Sequence, residues 1–280
     1  MMVGWESQTN SMRILVISHQ PGANQPVGRL EEWLEQKELT LDHRIGSEKN
    51  LPKRIYYSSS DSPDRMSVGK NGVGEGYAGL IINGGQWRLD GSDGGWWLPH
   101  IRRLLHQAIY DDIPTLAICL GHQLLAEVVG GTVSDAHGPI TASDKDKGAE
   151  YGLCSVQLTE AGKYDMLFAG ITSPMIMYQN HQNSVTKLPD KVEVLAKSDR
   201  TPIEALRYGS VIYGLQFHPE VASDAIYKWN DDKVNQLKSA GYDWQAMVKQ
   251  SQQGDSLNTM QSHQLGDNFA RIIKRRAERT

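Results

Sequence analysis

One segment near the middle of the chain constrains the fold more than any other, because an apolar run breaks sharply there into a helical pattern. The run is 114–120 (PTLAICL), it breaks at Gly121, and the helical pattern of 122–129 follows. A buried strand that leads directly into a helix is typical of a parallel sheet with helices packed on its faces. The segment therefore predicts an α/β fold.

Apolar runs and helical patterns also alternate before this segment, and closely spaced strand patterns follow it. Residues 13–18 (RILVIS) and 78–83 (AGLIIN) are typical of buried strands, and a helical pattern follows each. Residues 42–77 are polar and rich in Gly, Ser and Pro, so we expect mostly irregular surface chain there. Strand patterns between 153 and 217 have a more antiparallel style, and from 221 onward the pattern is helical.

Charge and cysteine content narrow the classes of function. Of the 280 residues, 29 are Lys or Arg and 33 are Asp or Glu, so the net charge of −4 favours neither a nucleic-acid nor an anionic-membrane partner. No window approaches the ~18 apolar residues of a membrane span, and the first residues lack the basic segment of an export signal. Cys119 and Cys154 have no spacing typical of a disulfide scaffold or a zinc site, which favours a reducing cytoplasm.

Cys119 stands where the central strand turns into its helix, in the sequence AICLGHQ. A nucleophile on such an elbow is lifted out of the sheet, and the helix dipole and free backbone N–H groups favour its thiolate. The alternative is an inert buried cysteine, which is the commoner role of a lone Cys in an apolar strand. The motifs elsewhere in the chain bear on this choice.

The second motif is the sequence QFHPE at the end of the last strand pattern. Residues two apart in extended chain point to the same side, and Pro219 fixes φ between them, so the His218 imidazole and the Glu220 carboxylate can lie together. A carboxylate beside an imidazole holds its tautomer and raises its basicity, as a general base requires. Alone, the motif is more often a solvated strand end.

The third motif is Asn83-Gly84-Gly85-Gln86, directly after the strand pattern 78–83. Its strand should end on the same edge of the sheet as Cys119. Glycines there let backbone N–H groups turn toward a developing oxyanion, and the N–H of Leu120 is the natural second donor. Taken alone, a Gly-Gly pair more often marks a simple turn.

These motifs, in this order, resemble the class I (triad) glutamine amidotransferase family. The resemblance covers roughly 12–221. The matching segments are IINGG, AICLGHQLLAEVVGG, EYG at 150–152, NHQNSV at 180–185 and GLQFHPE. The overall plan resembles the stand-alone GMP-synthase-like members of that family. The resemblance implies a doubly wound, mostly parallel sheet with helices on both faces, of the flavodoxin-like kind, with a C-terminal helical extension.

The resemblance also implies a reaction. Cys119 would attack the side-chain amide carbon of glutamine, His218 would act as general base and then acid, and Glu220 would orient His218. The N–H groups of Gly85 and Leu120 would stabilise the oxyanion. A γ-glutamyl thioester on Cys119 would then be hydrolysed to glutamate, with release of ammonia.

Further positions match the residues with which the family holds its substrate. Gln123 on the first helical turn would hold the substrate, beside the backbone of Gly84, and Gln182 and Asn183 would read its amino-acid end. The reaction implies no cofactor and no metal.

The chain departs from the family pattern in two places. Ala117 replaces the glycine usual two residues before the cysteine, and the oxyanion loop has Gly-Gly-Gln-Trp at 84–87 where relatives often have Gly-Gly-Pro or Gly-Pro-Gly. The tryptophans Trp87, Trp96 and Trp97 either line the mouth of the site or belong to the core of the following helix. His19, in SHQPG after the first strand, lies at the right edge of the sheet for a site, although a loop histidine is more often solvated.

Three functions remain open at this stage. The first is a glutamine amidotransferase that supplies ammonia to a separate synthetase, the second a γ-glutamyl peptidase or hydrolase, and the third a non-catalytic regulatory or binding subunit. The motifs must meet in one site, so we expect a leader over 1–11, a single amidotransferase domain over 12–221 and a helical extension over 222–280. That extension is too short for a synthetase domain, so the acceptor is expected on another chain.

Overall fold

The computed structural model describes residues 12–19, 27–59, 66–69 and 72–279, so the leader predicted over 1–11 lies outside the described residues. The strands are β1 Met12–Ser18, β2 Leu39–Ile45, β3 Ile55–Tyr57, β4 Met66–Gly69, β5 Gly72–Tyr77, β6 Gly79–Ile82, β7 Thr115–Ile118, β8 Thr132–Val133, β9 Glu150–Leu158, β10 Met175–His181, β11 Val185–Lys187, β12 Val192–Lys197, β13 Ala205–Tyr208 and β14 Ile212–Leu215. The helices are α1 Leu30–Glu35, α2 Leu98–Tyr110, α3 Leu120–Val128, α4 Glu160–Lys163, α5 Asp231–Ser239 and α6 Trp244–Ala277.

Nine strands form one sheet in the order β10-β9-β12-β13-β14-β7-β6-β1-β2. The five strands from β14 to β2 pair in parallel. The pairs from β10 to β14 are antiparallel. The α/β fold is therefore confirmed, with a mixed sheet whose parallel half is followed by the antiparallel strands that the later sequence patterns indicated.

Helices cover both faces of this sheet, and two close approaches show it at β6. A Cβ atom placed on Gly79 would lie 3.1 Å from Cδ1 of Ile273 in α6, and one placed on Gly121 in α3 would lie 3.0 Å from Cγ2 of Ile82. Positions 79 and 82 are an odd number of residues apart, so they face opposite sides of the sheet. Helices α6 and α3 therefore pack on opposite faces.

The parallel strands also place the sequence motifs at one edge. His19 follows β1, Asn83 follows β6, Cys119 follows β7, and His218 comes shortly after β14. The carboxyl ends of neighbouring parallel strands meet at the same edge, where open α/β sheets bind their ligands. The topology alone thus gathers residues that lie up to 199 positions apart, from His19 to His218, at one edge of the sheet.

The expectation of irregular chain over 42–77 was wrong. This region contains most of β2, which forms the edge of the main sheet, and the described parts of a second sheet with the order β3-β5-β4. Its polar side chains pair within β2 and between β2 and β5: Arg44 donates to Asp42 of its own strand at 2.8 Å and to Glu75 at 3.0 Å, and the Tyr77 hydroxyl donates to Asp42 at 2.8 Å. These hydrogen bonds link the edge strand of the main sheet to the second sheet, and a hydrophobic pattern does not reveal them.

The chain after the last strand is helical in the described part, as predicted. A 3₁₀ segment over Ser223–Lys228 leads into α5 and then into the 34-residue helix α6. No helix in the described ranges combines the length and the apolar character that crossing a membrane requires. The domain boundary at 221 remains a prediction.

Candidate active site

Cys119 occupies a sharp turn between β7 and α3. Its backbone has φ of 51° and ψ of −104°, a conformation that residues with a side chain rarely adopt. The turn is held because the Cys119 N–H donates to the Leu215 carbonyl at 2.8 Å and the Cys119 carbonyl accepts from the Gln123 N–H at 3.0 Å. Strained backbone of this kind persists only where the surroundings fix it, and it is frequent at active sites.

The helix that follows Cys119 lies very close to the sheet. A Cβ atom on Gly121 would lie 2.5 Å from the Ile82 carbonyl oxygen, so the close packing of α3 on β6 requires glycine there. Leu120 is the first residue of α3, and N–H groups in a first helical turn have no intrahelical acceptor. The positive end of the helix dipole and the Leu120 N–H are thus next to the Cys119 thiol.

His218 and Glu220 form the hydrogen-bonded pair that the sequence predicts, with 2.6 Å between His218 Nδ1 and Glu220 Oε1. The His218 N–H donates to the Tyr178 carbonyl at 2.9 Å, which fixes the segment against β10. Burial by itself lowers the pKa of His218, but the negative charges of Glu220 and Cys119 and their hydrogen bonds outweigh it, so this pKa is raised well above its ordinary value. The environment therefore favours the imidazolium form of His218.

Gly84 packs against both Cys119 and His218. A Cβ atom on Gly84 would lie 2.9 Å from Cε1 of His218 and 3.1 Å from Cβ of Cys119. One on Gly85 would lie 3.1 Å from Cδ2 of Leu120. The structure therefore brings together the glycine, cysteine and histidine motifs, with the chain after β6 packed against Cys119 and His218.

His19 is buried at the same edge, in contrast to the solvated role that is commoner for a loop histidine. Its Nδ1 accepts from Trp97 Nε1 at 3.2 Å, so its Nε2 carries the proton and donates to the Asn83 carbonyl at 3.0 Å. Burial lowers the pKa of His19 to about 4. His19 is thus a neutral group that holds the loop after β6.

One of the three tryptophans fits each alternative, and the third fits neither. Trp97 belongs to the core with 4% of its surface exposed, whereas Trp96 is 53% exposed. Trp87 lies edge-on to Trp97, with 5.0 Å between ring centroids, and lines the cavity at the site. One of the three therefore reaches the mouth of the site.

A cavity of about 850 Å³ opens in front of Cys119 and His218. Gln123, Gln182 and Asn183 line it. Its wall also contains residues from the helical extension that sequence reasoning missed, namely Lys228, Trp229, Asn230, Asp232, Lys233 and Gln236. These residues form no recognisable motif, and only the fold brings them to the site.

The amide groups of the three predicted substrate-binding residues also hold the protein loops in place. Gln123 Nε2 donates to the Asn183 carbonyl at 2.9 Å, and Gln182 Nε2 donates to Asp144 at 3.0 Å. Asn183 exchanges two hydrogen bonds with the backbone of Ala136, at 2.5 and 3.1 Å. The side chain of Asn183 therefore orders the cavity wall.

Among the described residues, one buried group has donor atoms close enough together to hold a metal ion. It consists of Glu150, His181 and Glu204, whose donor atoms lie within 4.8 Å of one another. Burial and the neighbouring Glu150 raise the pKa of Glu204 well above its ordinary value, and burial lowers the pKa of His181 to about 3. A protonated Glu204 beside Glu150 and a neutral His181 reduce the charge buried in this cluster.

Comparison with known proteins supports the family that the motifs indicated. The family model "Glutamine amidotransferase class-I" matches residues 41–228. A subunit of the glutamine-hydrolysing GMP synthase of Methanopyrus kandleri is 31% identical over 172 residues, which are 61% of this chain and 77% of that protein. The corresponding subunit from Pyrococcus abyssi is 39% identical over 116 residues, which are 40% of this chain and 55% of that protein.

Solved structures agree at the level of the fold. A glutamine amidotransferase from Thermotoga maritima superposes with a TM-score of 0.68 at 19% identity, over 92% of this chain and 98% of that one. A glutamine amidotransferase from Methylobacillus flagellatus gives a TM-score of 0.66 at 19% identity, over 95% and 94%. With the motif order, the strand-edge geometry and the match over 41–228, the chain belongs to the class I glutamine amidotransferase family.

Proposed function

We propose that this protein hydrolyses the side-chain amide of glutamine through a γ-glutamyl thioester on Cys119. The observation that carries the proposal is the contact of Gly84 with both Cys119 and His218, at the mouth of a cavity large enough for the substrate. At this contact, three features lie next to one another: a thiol on strained backbone at the start of a helix, an imidazole paired with a carboxylate, and a glycine-rich loop. This is the combination that acyl transfer to a thiol requires.

The reaction runs in two halves. The Cys119 thiolate bonds to the amide carbon, and the N–H groups of Gly85 and Leu120 hold the negative charge that develops on the oxygen. The C–N bond then breaks as the His218 imidazolium gives its proton to the amide nitrogen, which leaves as ammonia. In the second half a water molecule gives a proton to His218, and the water oxygen bonds to the thioester carbon. The C–S bond then breaks, which releases glutamate and restores the thiolate.

The other residues have supporting roles in this proposal. Glu220 keeps the His218 tautomer and orientation through its 2.6 Å hydrogen bond. The Gln123 amide nitrogen donates to protein acceptors, which leaves its oxygen to accept from the substrate. The backbone of Gly84 and the loop at Gln182 and Asn183 complete the substrate site.

We further propose that the ammonia passes to a separate synthetase subunit. Support comes from the relatives, which are named as subunits of glutamine-hydrolysing GMP synthases. The free thiol that the reaction needs fits a reducing compartment, so we place the enzyme in the cytoplasm.

A γ-glutamyl peptidase is the second candidate, because the cavity is larger than free glutamine requires. Its volume of about 850 Å³ lies in the range of pockets that hold drug-sized ligands, about 300–1,000 Å³. The same thioester chemistry cleaves any γ-glutamyl amide, and the leaving amine determines which substrate is used.

The experiment compares kcat/KM for ammonia release from L-glutamine with kcat/KM for amine release from γ-glutamyl peptides. We expect glutamine to be preferred and Cys119→Ala to abolish both activities. A preference for peptides would favour the peptidase. Equal low turnover by wild type and Cys119→Ala on every donor would contradict the proposal and favour a non-catalytic role.

A further inference from the structure

Lys233 brings a positive charge from the helical extension into the cavity that contains Cys119. It lies near the start of α5, and its Nζ donates to Asn180 Oδ1 at 2.5 Å. The ammonium lies 4.2 Å from the centre of the Trp229 ring and 5.3 Å from that of Tyr151. All three neighbours also line the cavity, so the amine is held at its wall by groups without a full charge.

Lys233 differs from the other basic side chains in this wall. Arg88 lies 3.5 Å from Asp90, and Lys228 lies 3.6 Å from Asp224. None of the ion pairs found among the described residues includes Lys233. The cavity therefore contains one lysine whose charge is not balanced by a carboxylate of the described chain.

The surroundings of Lys233 show that its charge lacks an anionic partner. Burial lowers the pKa of Lys233 to about 8, and the negative charge that opposes this effect is that of Cys119. Aromatic faces and an amide oxygen stabilise an ammonium only in part. A partly desolvated cation gains most from an anion that completes its hydrogen bonds.

We propose that Lys233 is a substrate-binding residue that recognises a carboxylate of the γ-glutamyl donor. The inference rests on the proposed function, because every γ-glutamyl donor carries an α-carboxylate and enters this cavity to reach Cys119. A γ-glutamyl peptide carries a second carboxylate on its leaving amine. The two carboxylates present the same chemical group to Lys233, and the three donors in the following experiment distinguish between them.

The test measures KM and kcat for Lys233→Met and Lys233→Arg with L-glutamine, γ-glutamylmethylamide and γ-glutamylglycine. Lys233→Met keeps the length of the side chain and removes its charge. We expect KM to rise about tenfold or more while kcat changes by less than about threefold, since a partly buried charge pair is lost. Lys233→Arg should restore KM to within about threefold of wild type, because the charge is restored.

The pattern across substrates identifies the carboxylate. Similar increases in KM for all three donors indicate the α-carboxylate, whereas an increase for γ-glutamylglycine alone indicates the carboxylate of the leaving amine. Lys238→Met is the matched control, because Lys238 lies on the same helix α5 but is exposed and does not line the cavity. It should leave KM unchanged.

The proposal is overturned if Lys233→Met leaves KM within about twofold of wild type for all three donors, or if its loss lies in kcat alone. Calorimetric binding of L-glutamine to Cys119→Ala, with and without Lys233→Met, separates this inference from the proposed function. If wild type turned over no donor, the function would fail. Weaker glutamine binding in the double variant would still support the role of Lys233, and equal binding would remove it.

Discussion

At the scale of single residues, the absence of a side chain at Gly84 leaves space for the side chains of Cys119 and His218. A Cβ atom at this position would lie 2.9 Å from Cε1 of His218 and 3.1 Å from Cβ of Cys119. We expect Gly84→Ala to lower kcat by about 100-fold or more, because a displacement of about 1 Å between reacting groups has that effect. Thermal unfolding should change little, and activity near that of wild type would show that the two side chains are not confined by this contact.

Glu220 controls the titration of His218. Its charge is the first cause that raises the pKa of His218, against the lowering effect of burial. In the proposed reaction the imidazolium gives a proton to the leaving amide nitrogen, so activity should be lost as pH rises through this pKa. In Glu220→Gln the raising charge is gone, and the alkaline limb of kcat/KM should move to lower pH.

The measurement is a pH profile of kcat/KM for the two proteins. Because glutamine keeps an oxygen that accepts from Nδ1, the variant tests the charge more than the geometry. An alkaline limb at the same pH in both would contradict the proposed role of Glu220.

At the scale of structural elements, the loop after β6 depends on β1. His19 donates to the Asn83 carbonyl and accepts from Trp97, so it links β1, the glycine loop and the start of α2. We expect His19→Ala to lower kcat about tenfold with a smaller change in KM, because the oxyanion donors lose their orientation.

The control for this variant is His106→Ala, which removes an exposed histidine of α2. The pKa of His19 is lowered to about 4, so it is neutral throughout the working range and the loss should not vary with pH. A kcat equal to that of wild type would contradict a positioning role for His19.

Arg29 links helix α6 to the segment that contains His218 and Glu220. Its Nε donates to the Pro219 carbonyl at 2.9 Å, and its Nη2 donates to Asn258 and Ser262 of α6, both at 2.7 Å. Hydrogen bonds to a charged group contribute about 1.5–3 kcal/mol each, so Arg29→Met should lower the free energy of unfolding by at least about 2 kcal/mol.

Urea unfolding of Arg29→Met and Thr259→Val measures this. Thr259 accepts from Arg29 at 3.2 Å on the exposed side, so removing its hydroxyl should cost less than about 0.5 kcal/mol. Equal stability of wild type and Arg29→Met would mean that α6 is held by its apolar contacts alone.

At the scale of the whole molecule, local motifs predicted what lies close in sequence or is fixed by topology. The elbow at Cys119 and the spacing of His218 and Glu220 could be read directly, and the parallel strand order put Gly84 beside them. Hydrophobic periodicity identifies which face of an element is buried but not its partner, so the contacts of His19 with Trp97 and of Lys233 with Asn180 could not be predicted.

The misassigned stretch over 42–77 has a related cause. Strand β2 is held partly by hydrogen bonds among Arg44, Asp42 and Glu75, which a search for apolar alternation does not detect. Polar residues that pair across strands look like loop when each is considered alone. This error did not affect the prediction of the site, because residues 42–77 contain none of the motifs that form it.

The most direct test of the central claim is mass spectrometry of the protein treated with a diazo-ketone analogue of glutamine. We expect a single adduct on Cys119 and none on Cys154, because burial raises the pKa of the Cys154 thiol well above its ordinary value. Cys119→Ala should remain unlabelled. Labelling of Cys154, or of no residue, would contradict the assignment of Cys119 as the nucleophile.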